Sequence, residues 1–277
     1  MSFEQNESFD ATTYITSPGN PFVKELHKLA TDSTAYRKQG RVWLEGDHLC
    51  KAVLARGLKP AAAVFSESFW PQAQSEWARA AIKNIVVADR LLAQLSGLDS
   101  PSSRGYVGFV LDLPEAPTVE SNVASVILDR VQDAGNVGSI LRSAAAFGFV
   151  QVIALKGTAA LWSPKVVRAG MGAHFALKLV EGVELEALAA LQMPIVVTSS
   201  HDGDFLHQCT GSKTLPNPCA WAMGHEGQGV SSALMAMASV KVRIAQPGGE
   251  ESLNVSAAAA ICFYASSLGR PSRSLGL

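Results

Sequence analysis

The sequence carries little charge, and it lacks the apolar segments that membrane and secreted proteins need. Only 17% of its 277 residues are charged and the formal net charge is −1. That balance excludes binding to nucleic acid by bulk charge but is compatible with a local basic face. No apolar run is long enough to cross a membrane, and the longest candidate, 255–265, is alanine-rich and predicts a buried helix. Residues 1–10 have neither the basic nor the apolar region of a signal peptide, so we expect no membrane partner.

The four cysteines are scattered, and none has the C-x-x-C spacing of a metal or redox motif. This usage is typical of a reducing cytoplasm, which is where we expect the protein to work. His201, His207, Cys209 and Cys219 lie close in sequence, but their spacing matches no zinc pattern. The Gly, Pro and Asn residues between them indicate a loop, and we expect no metal.

Two common nucleotide-binding motifs are also absent. A Rossmann dinucleotide site needs G-x-G-x-x-G, whereas the turn Gly135-Asn-Val-Gly138 is one residue too wide. Neither glycine-rich loop of the chain carries the Lys-Ser/Thr pair of a P-loop. These absences disfavour a nicotinamide-dependent enzyme and exclude a P-loop enzyme.

The segment 128–148 is the most informative part of the chain. A buried apolar strand, 126–128, leads into a polar, glycine-bearing turn that ends at Asn136, which we predict to be a helix N-cap. The helix that follows has Ile140, Ala144 and Phe147 on one face, so Arg142 leaves the opposite face. A strand end, exposed backbone amides and a guanidinium together predict a site for an anionic or polar ligand.

Helix and strand patterns divide the chain into two α/β parts. Residues 1–13 indicate a disordered leader, 14–112 a small α/β domain, 113–122 a proline-containing linker and 123–277 a second α/β domain. The second domain alternates helical segments with continuous apolar strands, at 124–128, 150–155, 176–180, 195–198, 220–223 and 240–244. Such strands indicate a parallel sheet that is covered by helices on both faces.

The first domain has a local excess of positive charge. Between Tyr14 and Pro60, eight basic residues accompany four acidic ones. This balance fits a surface that faces a polyanion, and it fits a solvated helical face equally well. The candidates for polyanion contact are Lys24, Lys28, Arg37, Lys38 and Arg41.

Three polar segments follow one another along the second domain. They are Asp133-x-Gly-Asn-x-Gly-Ser-Ile-x-Arg-Ser143, then Met223-Gly-His-Glu-Gly-Gln-Gly229, then Ile244 followed by Ser252-Leu-Asn-Val-Ser256. In this order they resemble the three motifs of the SpoU (TrmH-like) RNA ribose methyltransferases of the SPOUT superfamily, over roughly residues 125–270. One glycine-rich turn alone would be a weak signal, but three motifs in the family's order are specific.

The resemblance implies a fold and a reaction. It implies a SPOUT-type parallel sheet with a C-terminal trefoil knot, S-adenosylmethionine as cofactor, and methyl transfer to a ribose 2′-hydroxyl of structured RNA. Ser17-x-x-Asn-Pro-x-Val-Lys-x-Leu26 and Glu45-Gly46 resemble, more loosely, the family's L30e-like substrate-binding domain. That extra domain favours 23S ribosomal RNA over transfer RNA as the substrate by family analogy.

The resemblance also assigns roles to residues. Arg142 takes the essential place near the 2′-hydroxyl; because a guanidinium stays protonated, holding a phosphate or polarising the hydroxyl is easier for it than acting as the base. Glu226 is expected to orient Arg142 or the substrate. Capping alone would explain one of Ser252 and Asn254, whereas the family places both in the site. The catalytic candidates are Arg142, Asn136, Glu226, Ser252 and Asn254, and the cofactor candidates are Gly224, Ile244, Leu253, Thr198 and Met223.

The family pattern further implies a homodimer, because a catalytic arginine lies beside the partner's cofactor. The last helix, with Val255, Ala259, Cys262 and Phe263, is the expected part of that interface. Ile244 and Leu253 would be core residues in an interpretation that ignores the family.

Three positions depart from the family pattern. Ala134 stands where proline is usual, Ala245-Gln246 where Pro-Met is usual, and His225 where a small or different residue is usual. These departures bear on cofactor affinity and substrate, because none removes a polar site residue. A transfer RNA methyltransferase and a non-catalytic RNA-binding protein of the same fold stay open as alternatives.

Overall fold

The computed structural model describes residues 12–77, 79–95, 106–199, 202–209, 215–248 and 252–268. The chain divides into two compact units between Pro114 and Glu115, except that Trp162–Pro164 belong to the first unit. Each unit is built around its own β-sheet.

The first unit contains a five-stranded mixed sheet in the order β1-β4-β3-β5-β2. Its β5 runs antiparallel to both β2 and β3, and the remaining pairs are parallel. Asn20 caps the first helix by accepting a hydrogen bond from Phe22 N–H, and Pro21 occupies the first turn, where proline is well tolerated. The elements are β1 (Thr12–Ile15), α1 (Pro21–Thr31), α2 (Ala35–Gln39), β2 (Arg41–Glu45), α3 (Asp47–Leu54), β3 (Ala62–Ser66), α4 (Trp70–Trp77), β4 (Asn84–Val87), α5 (Asp89–Leu95) and β5 (Val107–Asp112).

The prediction that residues 1–13 form a disordered leader is wrong for residues 12 and 13. Thr12 and Thr13 already pair with β4 in the parallel edge strand β1, because the β-branched and aromatic residues from Thr12 to Ile15 favour a strand. Residues 1–11 lie outside the described part of the chain.

The second unit contains a seven-stranded sheet in the order β10-β12-β9-β11-β6-β7-β8, and every pair in it is parallel. This confirms the predicted parallel α/β fold. Its elements are β6 (Ser125–Asp129), α6 (Ala134–Ala146), β7 (Gln151–Leu155), α7 (Pro164–Gly170), a 3-10 helix (Ala173–Ala176), β8 (Lys178–Val183), a second 3-10 helix (Leu185–Leu191), β9 (Ile195–Thr198), β10 (Asp204–Phe205), α8 (Leu206–Cys209), β11 (Ala220–Gly224), α9 (Ser232–Ala236), β12 (Val240–Arg243) and α10 (Val255–Ser267).

Both faces of this sheet are covered. On one face α6 packs against α10, where Phe149 meets Phe263 with ring centroids 4.6 Å apart and the Trp221 indole N–H donates to Ser266 Oγ at 2.8 Å. On the other face a second core joins Ile127 and Ile153 to residues of the second 3-10 helix and α9. The central strand β6 is therefore fully buried, and polar groups can reach solvent from it only at its ends.

Candidate active site at the carboxyl edge of the parallel sheet

The carboxyl ends of four adjacent strands meet at one edge of the second sheet. Leu128 and Asp129 of β6 lie opposite Met223 and Gly224 of β11, and Thr198 of β9 lies opposite Val242 of β12. Ile244 follows β12 directly. In open α/β sheets ligands bind at this edge, and four of the five predicted cofactor residues are brought there.

Helix α6 begins three residues earlier than predicted. Asp133, not Asn136, is its N-cap, and the Asp133 carboxylate accepts the Asn136 N–H at 2.7 Å. The predicted cap was wrong because an aspartate three residues upstream has the required extended backbone and a full negative charge for the helix dipole. Ala134 is therefore the first helical residue, a position that accepts proline and alanine alike.

Because Asp133 caps the helix, the Asn136 side chain can hydrogen-bond to one residue of each of the other two motifs. Its Nδ2 donates to Glu226 Oε1 at 3.2 Å, and its Oδ1 accepts from Asn254 Nδ2 at 2.9 Å. One residue from each of the first, second and third motifs thus belongs to a single hydrogen-bonded chain. Each amide is oriented by its neighbours, which prepares these groups for a ligand without further rearrangement.

Glu226 is bound to the loop that follows β6. Its carboxylate accepts the N–H groups of Gln132 at 3.3 Å and Asp133 at 3.1 Å in addition to the Asn136 amide. Burial opposes ionisation, but these hydrogen bonds and one from its own backbone outweigh burial and lower the pKa of Glu226 below its ordinary value. The family resemblance suggested that Glu226 orients either Arg142 or the substrate. Among the described residues, the Arg142 guanidinium is not a hydrogen-bond partner of Glu226.

Asn254 is both a cap and a site residue. Its Oδ1 accepts the N–H groups of Ser256 at 2.9 Å and Ala257 at 3.3 Å at the start of α10, while its Nδ2 reaches Asn136. Ser252 is exposed, and no hydrogen bond to the described residues engages its hydroxyl. Of the two residues, the structure thus gives the capping role to Asn254.

Arg142 lies six residues beyond Asn136 on α6 and is exposed. Within the described part of the chain no hydrogen bond or salt bridge engages its guanidinium. A cation that no carboxylate neutralises is available to an anionic ligand.

Gly224 leads into a tight hairpin, 225–229, in which His225 and Gly229 exchange backbone hydrogen bonds at 3.0 and 2.8 Å. A Cβ at Gly224 would come within 2.1 Å of the Gly229 carbonyl carbon, so the position excludes every side chain. His225 Nδ1 accepts the N–H groups of Gly227 and Gln228 at 3.0 and 3.3 Å. This departure from the family pattern therefore stabilises the turn.

Two of the three apolar cofactor candidates, Ile244 and Leu253, are not core residues. Leu253 is 40% exposed and Ile244 is half-buried, whereas Met223 is buried and offers only its backbone to this edge. Exposed apolar groups beside strand-end amides fit a ligand such as S-adenosylmethionine, whose adenosine is both apolar and rich in hydrogen-bonding groups.

Asp129 and Arg130, at the end of β6, were missed by the sequence analysis. Asp129 is buried, and its two carboxylate oxygens accept from Arg130 Nε at 2.9 Å and Ser231 N–H at 2.6 Å. Burial opposes ionisation, but these hydrogen bonds hold the pKa of Asp129 below its ordinary value. Arg130 Nη1 donates to Gln228 Oε1 at 2.9 Å. The sequence feature that could have identified Asp129 as a site residue is an acidic side chain at the end of a buried apolar strand.

The predicted polyanion contacts of the first unit differ in their surroundings. Lys24 and Lys28 are exposed on α1, beside a groove of about 340 Å³ whose described lining also includes Val23, Leu91 and Leu95. Arg41 instead binds two carboxylates, Asp112 at 2.7 Å and Glu25 at 3.4 Å. The remaining two candidates, Arg37 and Lys38, lie on α2.

No cluster of three or more His, Cys, Asp or Glu side chains in the described residues could hold a metal ion. Cys209 and Cys219 are buried and form no disulfide, and His201 lies outside the described residues. Among the described helices none is long and apolar enough to span a bilayer.

A family model described as the SpoU rRNA Methylase family matches residues 124–264, and a second, described as the MRM3-like substrate binding domain, matches residues 20–104. These matches confirm the resemblance drawn from the three motifs and place a substrate-binding domain ahead of the catalytic one.

Individual relatives agree with the family match. The 23S rRNA (guanosine(2553)-2′-O)-methyltransferase RlmP of Bacillus subtilis is 27% identical over 254 residues, covering 90% of this chain and 97% of that protein. Mouse mitochondrial rRNA methyltransferase 3 is 32% identical over 178 residues, and the match spans only 42% of that longer protein. The crystal structure of an AdoMet-bound rRNA methyltransferase from Sinorhizobium meliloti superposes with a TM-score of 0.76 at 26% identity, covering 92% of this chain and 97% of that one.

Proposed function

The chain belongs to the SpoU rRNA methylase family of S-adenosylmethionine-dependent RNA methyltransferases, and we propose that it methylates a ribose 2′-hydroxyl of 23S ribosomal RNA. The observation that carries the proposal is the hydrogen-bonded chain Glu226–Asn136–Asn254, which joins all three family motifs at the carboxyl edge of the sheet. Beside it lie the strand ends that carry the cofactor candidates.

The residues support an in-line transfer without a metal. When bound, S-adenosylmethionine supplies the electrophilic methyl group, and the backbone at Thr198, Met223 and Gly224 with the side chains of Ile244 and Leu253 would hold it. The 2′-hydroxyl is a weak nucleophile, so positioning dominates the rate. Asn136 and Asn254 are oriented to position the ribose, with Ser252 beside them at the exposed start of α10.

Arg142 contributes charge rather than a base. Its guanidinium stays protonated at neutral pH, so it can hold the phosphate next to the target ribose or polarise the 2′-oxygen as its proton leaves. Glu226 is ionised and engaged by N–H groups, which suits it to orient Asn136 and the loop 130–133.

The partners follow from the same assignment. Lys24, Lys28, Arg37 and Lys38 would contact RNA phosphates, whereas Arg41, also a sequence candidate, has two carboxylate partners within its own unit. We further propose a homodimer formed by the second unit, and a cytoplasmic location, which is supported by four cysteines that form no disulfide. The trefoil knot implied by the family belongs to this proposal as well.

Replacing Arg142 with alanine tests the proposal. We expect Arg142→Ala to lower methyl transfer to total RNA at least about 100-fold, because it removes an essential charged contact. Affinity for S-adenosylmethionine, measured by calorimetry, should stay within about threefold, since the cofactor candidates lie on other elements.

Lys156→Ala, which removes an exposed cation of the same unit that binds Glu184, is the matched control and should leave both quantities unchanged. Turnover of Arg142→Ala above about a tenth of wild type would contradict the assignment. Mapping the methylated position in RNA from a deletion strain separates ribosomal from transfer RNA. Cofactor binding without methylation of either RNA would instead support the non-catalytic alternative.

A further inference from the structure

The hairpin 225–229 is held by two hydrogen-bonding side chains at its tip. Glu226 reaches the loop 132–133 and Asn136 on one side, and Gln228 accepts from Arg130 Nη1 at 2.9 Å on the other. The hairpin is short and its strands pair only through His225 and Gly229. The position of Glu226 relative to Asn136 therefore depends on both contacts.

Arg130 adopts a backbone conformation that arginine rarely takes. Its φ is +59°, in the left-handed region, and its N–H donates to Thr158 Oγ1 at 3.1 Å. The neighbouring Gly157 leaves room for it, since a Cβ there would come within 3.1 Å of Arg130 Cγ. Glycine would adopt this conformation at lower cost, so the arginine side chain must offset the strain.

The side chain of Arg130 makes two contacts in that conformation. Nε donates to the buried Asp129, whose other oxygen accepts the N–H of Ser231. Nη1 donates to Gln228. Asp129 and Arg130 thereby bind the segment 225–231 at Ser231 and at Gln228, and Glu226 lies two residues before the second of these contacts.

We propose that Arg130 is a positioning residue for methyl transfer, which acts through Gln228 to hold the hairpin 225–229 where Glu226 meets Asn136. The inference rests on the proposed function for its effect on the reaction. Because Gly224 is fixed by pairing within the sheet, the loss of this contact should change turnover rather than cofactor affinity.

The test uses two variants that remove the same hydrogen bond from opposite ends. Arg130→Gly relieves the backbone strain but also removes the guanidinium that binds the buried Asp129 carboxylate, so its melting temperature should fall less than that of Arg130→Ala. Its kcat should drop about tenfold because Glu226 is no longer held in place. Gln228→Ala leaves the backbone at 130 untouched and should lose kcat to a similar extent. The Kd for S-adenosylmethionine should stay within about twofold in both.

Three further variants sharpen the result. The double variant Arg130→Gly/Gln228→Ala should be no slower than the slower single variant, because the two changes remove one interaction. Gln228→Glu keeps an acceptor for the guanidinium and should retain wild-type kcat. Lys156→Ala is the matched control: it removes an exposed cation that binds Glu184 and makes no contact with the hairpin.

Amide hydrogen exchange gives a second measurement that needs no RNA. In Arg130→Gly and Gln228→Ala the N–H groups of Gly227 and Gln228 should exchange about tenfold faster than in wild type. Faster exchange with wild-type kcat would overturn the role in methyl transfer, and unchanged exchange would overturn the contact itself. If wild type methylates no RNA while exchange still responds, the proposed function fails and the positioning of the hairpin stands.

Discussion

His174 is a buried histidine in the second unit, and its protonation is coupled to folding. Its Nε2 lies 2.8 Å from the Leu161 carbonyl oxygen, and its ring packs so closely on Gly170 that a Cβ there would come within 2.5 Å of it. Burial lowers the pKa of His174 to about 4, against a smaller opposing effect of the carbonyl. The folded protein therefore keeps this imidazole neutral, with Nε2–H donating to Leu161.

The pH dependence of stability follows from that pKa. An unfolded histidine titrates near 6.5, so the contribution of His174 is complete above that pH and is lost as the pH falls towards 4. Between pH 7 and pH 5 we expect the free energy of unfolding to fall by about 2 kcal/mol from this residue. Urea titration at both pH values checks the expectation. His174→Asn should show a correspondingly smaller fall, and equal falls in the two proteins would contradict it.

At the scale of one element, α10 differs from its predicted role in assembly. Ala259, Cys262 and Phe263 were expected at a dimer interface, but they are fully buried within their own chain. Because α10 is alanine-rich, its sequence does not show which face of the helix is buried. The orientation of the helix is set instead by its packing against α6 and β11. The side chains that point outward are large and apolar: Ile261, Tyr264 and Leu268 are 41%, 54% and 58% exposed.

This outward face of α10 is where we expect the homodimer to form. Its residues recur at helical spacing, and Tyr264 packs edge-on against Phe147, the C-cap of α6, with centroids 6.0 Å apart, which extends the apolar surface. Placing a charge there by Ile261→Glu should convert a dimer into a monomer at micromolar concentration in analytical sedimentation. Ile82→Glu, at a residue 63% exposed in the first unit, is the control and should leave the dimer intact. A wild-type chain that sediments as an active monomer would refute the proposal.

Central strands that are apolar runs were predictable from the sequence, whereas the edge strands β2 and β10 were not. The central strands β6, β7, β9 and β11 are continuous apolar runs that a parallel sheet requires. By contrast, β2 begins and ends with charged residues, and β10 has only two residues, so neither shows a periodic pattern. The start of α6 was missed for a local reason, since both Asp133 and Asn136 suit an N-cap and only the backbone decides between them.

At the scale of the whole molecule, RNA affinity must come from local charge because the net charge is −1. Lys24 and Lys28 are exposed one helical turn apart, and no salt bridge among the described residues neutralises either. Reversing both charges, in Lys24→Glu/Lys28→Glu, should weaken RNA binding. It should also reduce the slope of log K against log salt concentration by the amount expected for the loss of about two phosphate contacts. Cofactor affinity should not change.

Filter-binding titrations over a range of salt concentrations make this measurement. Lys59→Glu/Lys83→Glu carries the same change of charge at two exposed positions of the same unit and should alter binding far less. If both pairs flatten the salt dependence equally, the basic excess acts only through overall charge. An unchanged slope in the Lys24/Lys28 variant would direct the search for RNA contacts to Arg142, Lys165 and Arg168.

The residues of the hydrogen-bonded chain were predictable from the sequence, but the contacts between residues of the site were not. Sequence motifs identified Asn136, Glu226 and Asn254, because their residue types and order are specific to the family. That Glu226 binds the loop 132–133, and that Arg130 reaches Gln228, depends on contacts between residues more than 90 positions apart. Periodicity and capping rules describe neighbours within a few residues, and so they cannot supply such pairs.

The hydrogen bond between Asn136 and Asn254 also has a consequence for the time at which the site exists during synthesis. The two residues are 118 positions apart, and a ribosome adds about 5–20 residues per second, so roughly 6–24 s separate the two asparagines on a growing chain. Strand β6 likewise pairs with β11 only after β11 has been synthesised, whereas its other partner, β7, is synthesised earlier. The first unit and β6–β8 can therefore be complete while no methyl acceptor could yet be held, and a nascent chain remains inert towards the ribosomal RNA that surrounds it.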